Sequence, residues 1–303
     1  MKNTAFVYIL LILNIIPVIA NAQDSSLVKN EGLFFQTIRA NHDESYMTFS
    51  QGIGNMEDLV FEGLVAPYFL LRTSENAKWG ATLSPMILIR MFAEPSFPVR
   101  TPSYMPQVTF YHQISYKETQ NIKYVFVTIA HHSNGQEEPF YLEDGSINTF
   151  SGDFSTNYVQ IGAFFNRRLL SMNNTGEYFQ TSIEIHPNID RSVELNGRYS
   201  FLKWHTSFRV FRFPSDWKLS KLNQNPKVQT TLKTTWLFGE MDNAKNFDAK
   251  ERLNISATIN YRPEVLKDVS LFANFYSGKD YYNMQFDRRI QVFRIGLQAY
   301  AFK

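Results

Sequence analysis

Apolar residues in this chain recur at every second position, in segments of about ten residues divided by polar turns. Past residue 22, no apolar run reaches the roughly 18 residues that a membrane-crossing helix needs. Successive side chains of a strand point to opposite faces, so this period describes strands with unlike faces. Residues 124–133 show it. One face carries Tyr124, Phe126, Thr128, Ala130 and His132; the other carries Val125, Val127, Ile129, His131 and Ser133. The second is the more uniformly aliphatic face, as expected where it meets lipid.

Comparable segments fall at 59–72, 78–92, 104–117, 121–133, 156–167, 177–187, 197–213, 226–239, 250–262, 267–277 and 288–302. Bacterial single-chain barrels have even strand numbers, so these eleven predict twelve, with one missed or merged. The expected fold is all-β: a transmembrane antiparallel β-barrel of about 12 strands. A soluble β-sandwich is the alternative.

The opening "MKNTAFVYILLILNIIPVIANAQ" pairs Lys2 with an apolar stretch from Ala5 to Ile19 and an A-x-A site at Ala20–Ala22. It reads as a secretory signal peptide over 1–22. Residues 23–58 read as a polar N-terminal extension, and 59–303 as the barrel. Export makes the absence of cysteine informative: disulfides, thiol catalysis and thiolate metal sites are all excluded. The mean hydropathy of −0.27 fits a wall with only one apolar side. Aromatic residues make up 16% of the chain, with 27 Phe and 16 Tyr, which is rich for a soluble domain. A formal charge of +2, part of it from Lys2, offers nucleic acid no electrostatic footprint.

Short connections at 74–78 and 117–121 contrast with a long acidic one at 134–155. Barrels keep short turns on the periplasmic side, so the strand ending at Ser133 is expected to reach the outer leaflet. There His131 and Ser133 continue an aliphatic face. On the returning strand, Asn157 heads the face of Val159, Ile161, Ala163 and Phe165. In a hairpin, Asn157 comes close to His131.

A serine, a histidine and an amide on a lipid-facing wall can perform nucleophilic catalysis. Ser133 Oγ needs a base, and His131 is two residues away on its face. Asn157 can hold the imidazole in one tautomer through its amide oxygen. Gly135 allows an unusual backbone angle, and N–H groups around Ser133–Gly135 are candidates for an oxyanion hole. Polar groups beside lipid are costly and tend to be functional. His132, with Tyr124 and Phe126 on the other face, suggests a filled interior.

Three stretches resemble the outer-membrane phospholipase A family. "HHSNG" (131–135) is similar to its His-x-Ser-Asn-Gly motif, "SFPVRTPSYMPQ" (96–107) to its Ser-x-Pro-x-Arg-x-x-x-Tyr-x-Pro-Gln stretch, and "FANFYSG" (272–278) to its penultimate-strand signature. The resemblance implies a twelve-stranded barrel at the cell outer membrane that hydrolyses acyl esters of glycerophospholipids. It implies a carboxylic ester hydrolase that needs Ca2+ and acts as a homodimer. The catalytic residues are then His131, Ser133 and Asn157. The calcium donors are Ser96 from a second copy, the Gln136 carbonyl, and Ser151 or Asp153.

The chain departs from the family in the loop before Asn157, which is longer and ends "SGDFSTNY" (151–158), with Tyr158 in place of arginine. Asp153 stands where the family has a calcium-ligating serine, and Asp190 offers a further oxygen on a weak alignment. Two other functions stay open. A lipid A deacylase carries a similar motif but pairs it with an acidic residue, and a non-catalytic outer-membrane barrel would retain the motif without turnover.

Overall fold

The computed structural model describes residues 33–49, 53–54, 57–114, 122–166, 175–212, 226–242, 244–266 and 268–299. The signal peptide expected at 1–22 and the turn at 117–121 lie outside the described residues.

Strand β7 of the sheet (Lys123–Ser133) displays the wall in section. Val125, Val127 and Ile129 are exposed at 39%, 36% and 56%, while Tyr124, Phe126, Thr128 and Ala130 are buried. Aliphatic groups thus face outward, and polar groups such as Thr128 are taken inside. This is the pattern of a wall solvated by hydrocarbon.

Fourteen strand segments build twelve barrel strands, because two of those strands are broken. β1 (Tyr46–Thr48) and β2 (Ile53–Gly54) both pair with β14 (Arg289–Ala299), at Thr48↔Gly296 and Gly54↔Val292. β3 (Leu59–Val65) and β4 (Phe69–Leu71) likewise share β5 (Trp79–Phe92), at Val65↔Ile87 and Phe69↔Leu83. Antiparallel neighbours then follow in chain order: β6 (Val99–Gln113), β7, β8 (Ser155–Asn166), β9 (Thr175–Ile185), β10 (Leu202–Arg212), β11 (Val228–Phe238), β12 (Leu253–Tyr261), β13 (Val269–Lys279) and β14. Tyr46 pairs with both Leu64 and Gln298, which closes the sheet. Closure leaves the sheet with no free edge strand, the condition for crossing hydrocarbon with strands. Among the described residues, no helix is long and apolar enough to cross a membrane.

The twelfth strand is therefore Tyr46–Thr48 with Ile53–Gly54, inside the stretch read as an N-terminal extension. It escapes a period-two search because it is short and broken. The segment expected at 197–213 is strand only from Leu202; a 3-10 turn at Val193–Leu195 precedes it.

The interior is filled rather than hollow near the start of β7. Helix α1 (Leu33–Asn41) packs Phe34, Phe35 and Ile38 against Ile122, Tyr124, Phe126 and Phe164. Gly80 makes this seat possible, since a Cβ there would meet the Phe35 ring at 2.7 Å. Arg209 Nη1 donates to the Ala40 carbonyl at 2.8 Å, satisfying a last-turn group of the helix. Further along, Arg90 is fully buried between Glu62 (2.8 Å) and Asp280 (2.9 Å). Beside the Ser133 end of β7, Phe140, Phe154, Leu195, Met284 and Phe286 form an apolar cluster. It draws together the loops 134–154, 186–201 and 280–288, and these position the candidate site.

Candidate active site

The β7–β8 ladder sets the site. Its register places His131 opposite Asn157 and Ser133 opposite Ser155. On the other flank, β6 places Tyr104 opposite Ser133. His131, Ser133 and Asn157 all stand half-buried on the outer wall, past the exposed Ile129.

His131 Nδ1 lies 2.9 Å from Asn157 Oδ1. The other end of that amide fixes its sense. Asn157 Nδ2 meets the Ile189 carbonyl at 2.8 Å and the Asp190 carbonyl at 3.3 Å. Carbonyl oxygens only accept, so the NH2 must face them and the amide oxygen must face His131. His131 then carries its proton on Nδ1, and the lone pair sits on Nε2, the form a general base requires. Ser133 follows two residues on, about 7 Å along the strand at the usual rise. No hydrogen bond joins His131 and Ser133 among the described residues. Catalytic hydrogen bonds commonly close only with substrate present.

The turn after Ser133 is built by a side chain. Asn134 is 1% exposed. Its Nδ2 donates to the Gly152 carbonyl at 2.8 Å, and its Oδ1 accepts from Phe154 N–H and Gln136 N–H. The Asn134 N–H itself donates to the Phe154 carbonyl. Of the three N–H groups after Ser133, two are thus engaged within the loop. Gly135, at φ +67°, keeps the remaining one as the candidate oxyanion donor.

His132 points the other way. It is buried in the lumen against the Phe154 ring, with centroids 4.8 Å apart. Behind the wall, His186 shares a 3.0 Å hydrogen bond with Thr156 Oγ1 and sits 2.6 Å from Glu184. His186 lies just beyond β9. Burial, aided by the charge on Lys203, pushes its pKa down to about 4 against the pull of Glu184.

The expected calcium donors are distributed over two loops. Ser96 is exposed on the β5–β6 turn at φ +72°. Gln136, Ser151 and Asp153 lie on the 134–154 loop, where Ser151 Oγ accepts from Asn148 Nδ2 at 3.2 Å and Asp153 N–H donates to the Glu138 carbonyl. These oxygens suit a hard cation in kind but fall short in number for a shell of six to eight, with Asp153 as the only carboxylate. Among the described residues, no group of three His, Cys, Asp or Glu could hold a metal. Asp190 contributes its backbone carbonyl to Asn157 and Ser155.

No family model matches the sequence, and no curated protein matches it. Solved structures do. The outer membrane phospholipase A of Escherichia coli superposes with a TM-score of 0.59 at 11% identity, covering 89% of this chain and 98% of that one. The chain has the fold of outer-membrane phospholipase A. The Salmonella typhi outer membrane phospholipase, a dimer with bound calcium, gives the same score, identity and coverage. An asparagine-to-alanine active-site mutant of the Escherichia coli phospholipase gives 0.58 at 11% identity, over 85% and 90% of the two chains. Identity this low shows the fold and leaves chemistry to the residues themselves.

Sequence reasoning passed over the carbonyls of Ile189 and Asp190 and the anchoring side chain of Asn134. Backbone carbonyls leave no mark in a residue string. Asn134 was legible only as part of a motif.

Proposed function

We propose that this chain is an outer-membrane phospholipase A that hydrolyses acyl esters of glycerophospholipids through Ser133, His131 and Asn157. The observation that carries this reading is the 2.9 Å contact from His131 Nδ1 to Asn157 Oδ1, on the same outward face as Ser133. Few structural purposes call for a tautomer-fixed histidine beside a serine on a hydrocarbon-facing wall.

Ser133 Oγ attacks the ester carbonyl carbon as its proton passes to His131 Nε2. Asn157 Oδ1 holds the resulting imidazolium, as the acidic member of a serine triad does, with less charge and less desolvation cost. Gly135 N–H is placed to meet the oxyanion. Collapse breaks the ester bond, and His131 returns the proton to the lysophospholipid oxygen. Water, deprotonated by His131, then releases the fatty acid from acyl-Ser133.

Calcium, when bound, supplies positive charge that polarises the ester carbonyl. Its donors would be the Gln136 carbonyl, Ser151 and Asp153, completed by Ser96 of the partner subunit. In this reading the homodimer is the active form, because the second copy brings its Ser96 to the ion. The two phospholipase structures with a bound-calcium dimer and an asparagine active-site mutant support the same assignment. A lipid A deacylase would need an acidic partner for the histidine, and His131 has Asn157.

The test is fatty-acid release from a diacylphospholipid by detergent-folded protein, with calcium or chelator, beside Ser133→Ala. Calcium-dependent release that vanishes in the mutant supports the whole reading. Release from purified lipid A alone, or conductance without release, would replace it.

A further inference from the structure

We infer that the 186–201 loop belongs to the reacting group. Through the carbonyls of Ile189 and Asp190 it fixes which way the Asn157 amide faces, and Arg191 is the positioning residue that holds the loop. This rests on reading Ser133, His131 and Asn157 as the reacting residues.

β8 outruns its neighbour. Its pairing with β9 begins only at Val159↔Ile185, so residues 155–158 would lack a partner on that flank. The loop supplies one. Ser192 N–H donates to the Ser155 carbonyl at 2.9 Å, and Ser155 N–H donates to Ser192 Oγ at 2.9 Å. Between these bonds and the end of β9, the Ile189 and Asp190 carbonyls receive Asn157 Nδ2. Asp190 sits at φ +50°, a left-handed conformation that Asp tolerates and β-branched residues do not. In that conformation its carbonyl also accepts from Ser155 Oγ at 3.3 Å.

Arg191 closes the loop on itself. Its Nη2 donates to the Leu195 carbonyl at 2.8 Å and to the Tyr199 carbonyl at 3.4 Å. Leu195 is fully buried in the apolar cluster with Phe154, the residue immediately before Ser155 at the start of β8. The clamp on Asn157 is therefore tied to the packed end of the barrel and cannot drift independently of it.

One consequence distinguishes this clamp from simple packing. A carboxylate at position 157 would bring an oxygen to about the same 2.8 and 3.3 Å from two carbonyl oxygens, with no proton between them. Charge alone favours Asp as the partner of an imidazolium; the loop selects the amide.

The experiment uses detergent-folded full chain with two readouts: the rate of Ser133 modification by an alkylsulfonyl fluoride, and the 15N shifts of the His131 ring. Wild type is expected to show the Nδ1–H tautomer. Arg191→Ala should slow labelling about tenfold and mix the tautomers at an unchanged unfolding temperature. Arg191→Lys, which keeps a donor for the carbonyls, should restore most of both. Asp190→Val should reproduce the loss without touching Arg191, and Asn157→Asp should label more slowly than wild type. Wild-type labelling and tautomer in both Arg191→Ala and Asp190→Val, or faster labelling in Asn157→Asp, would overturn the clamp. A tautomer that is fixed in wild type and loosened by Arg191→Ala, in a protein that never labels, supports the clamp and overturns the reading of Ser133 instead.

Discussion

Asn157 stands across the β7–β8 ladder from His131, and its amide oxygen lies 2.9 Å from the ring nitrogen Nδ1. The contact is made on the outside of the barrel, two residues beyond a row of exposed valine and isoleucine. An antiparallel pair brings the side chains of directly opposed residues together, so a single register decides whether the pair exists at all.

Loss of that contact is expected to act on turnover and not on folding. Asn157→Ala leaves His131 in place with neither tautomer favoured, and kcat for fatty-acid release should fall about 10²-fold. KM and the unfolding temperature should stay near wild type. A larger change in KM than in kcat would assign Asn157 to substrate binding.

The two adjacent histidines should separate cleanly. His131 is on the outer wall, and His132 is buried in the lumen against Phe154. His131→Ala is expected to abolish release, while His132→Ala keeps most of it and lowers stability by about 1–3 kcal/mol through the lost packing. Equal loss of activity in both would contradict the assignment of the two faces.

Arg90 is the test of the interior. Its guanidinium is fully buried between Glu62 and Asp280. Arg90→Ala removes one of two cations from each carboxylate, since Glu62 also pairs with Arg294 and Asp280 with Arg288, and the loss is expected to destabilise by up to about 3–5 kcal/mol. Denaturant unfolding in detergent should show the shift. An unchanged midpoint would mean that Arg294 and Arg288 already neutralise the pair.

Acid should weaken the barrel through His186. Its folded pKa lies near 4, below the ordinary 6.5, because burial disfavours the charged ring. Between these values the unfolded chain takes up a proton that the folded chain refuses. Stability from this group is therefore complete above about pH 6.5, declines as pH falls toward 4, and is flat below. Unfolding temperatures across that range should show the slope, and His186→Gln should flatten it.

Period two in residues 124–133 and 157–165 was enough to assign the barrel, its outward face and the placement of His131, Ser133 and Asn157 on that face, because on a strand the face of a residue follows from its parity. The same rule could not find the first strand, Tyr46–Thr48 with Ile53–Gly54, which is broken after three residues, or the helix at Leu33–Asn41 that fills the lumen. Those segments are ordered by what surrounds them: β14 on one side, and a seat opened by Gly80 on the other. Register and loop placement belong to tertiary structure as well. Whether Asn157 faces His131 with its oxygen or its nitrogen is decided by the carbonyls of Ile189 and Asp190, more than thirty residues away in the chain. Side-chain identity records parity and chemical type; which backbone groups come to meet a side chain is settled only when the sheet closes and its loops pack.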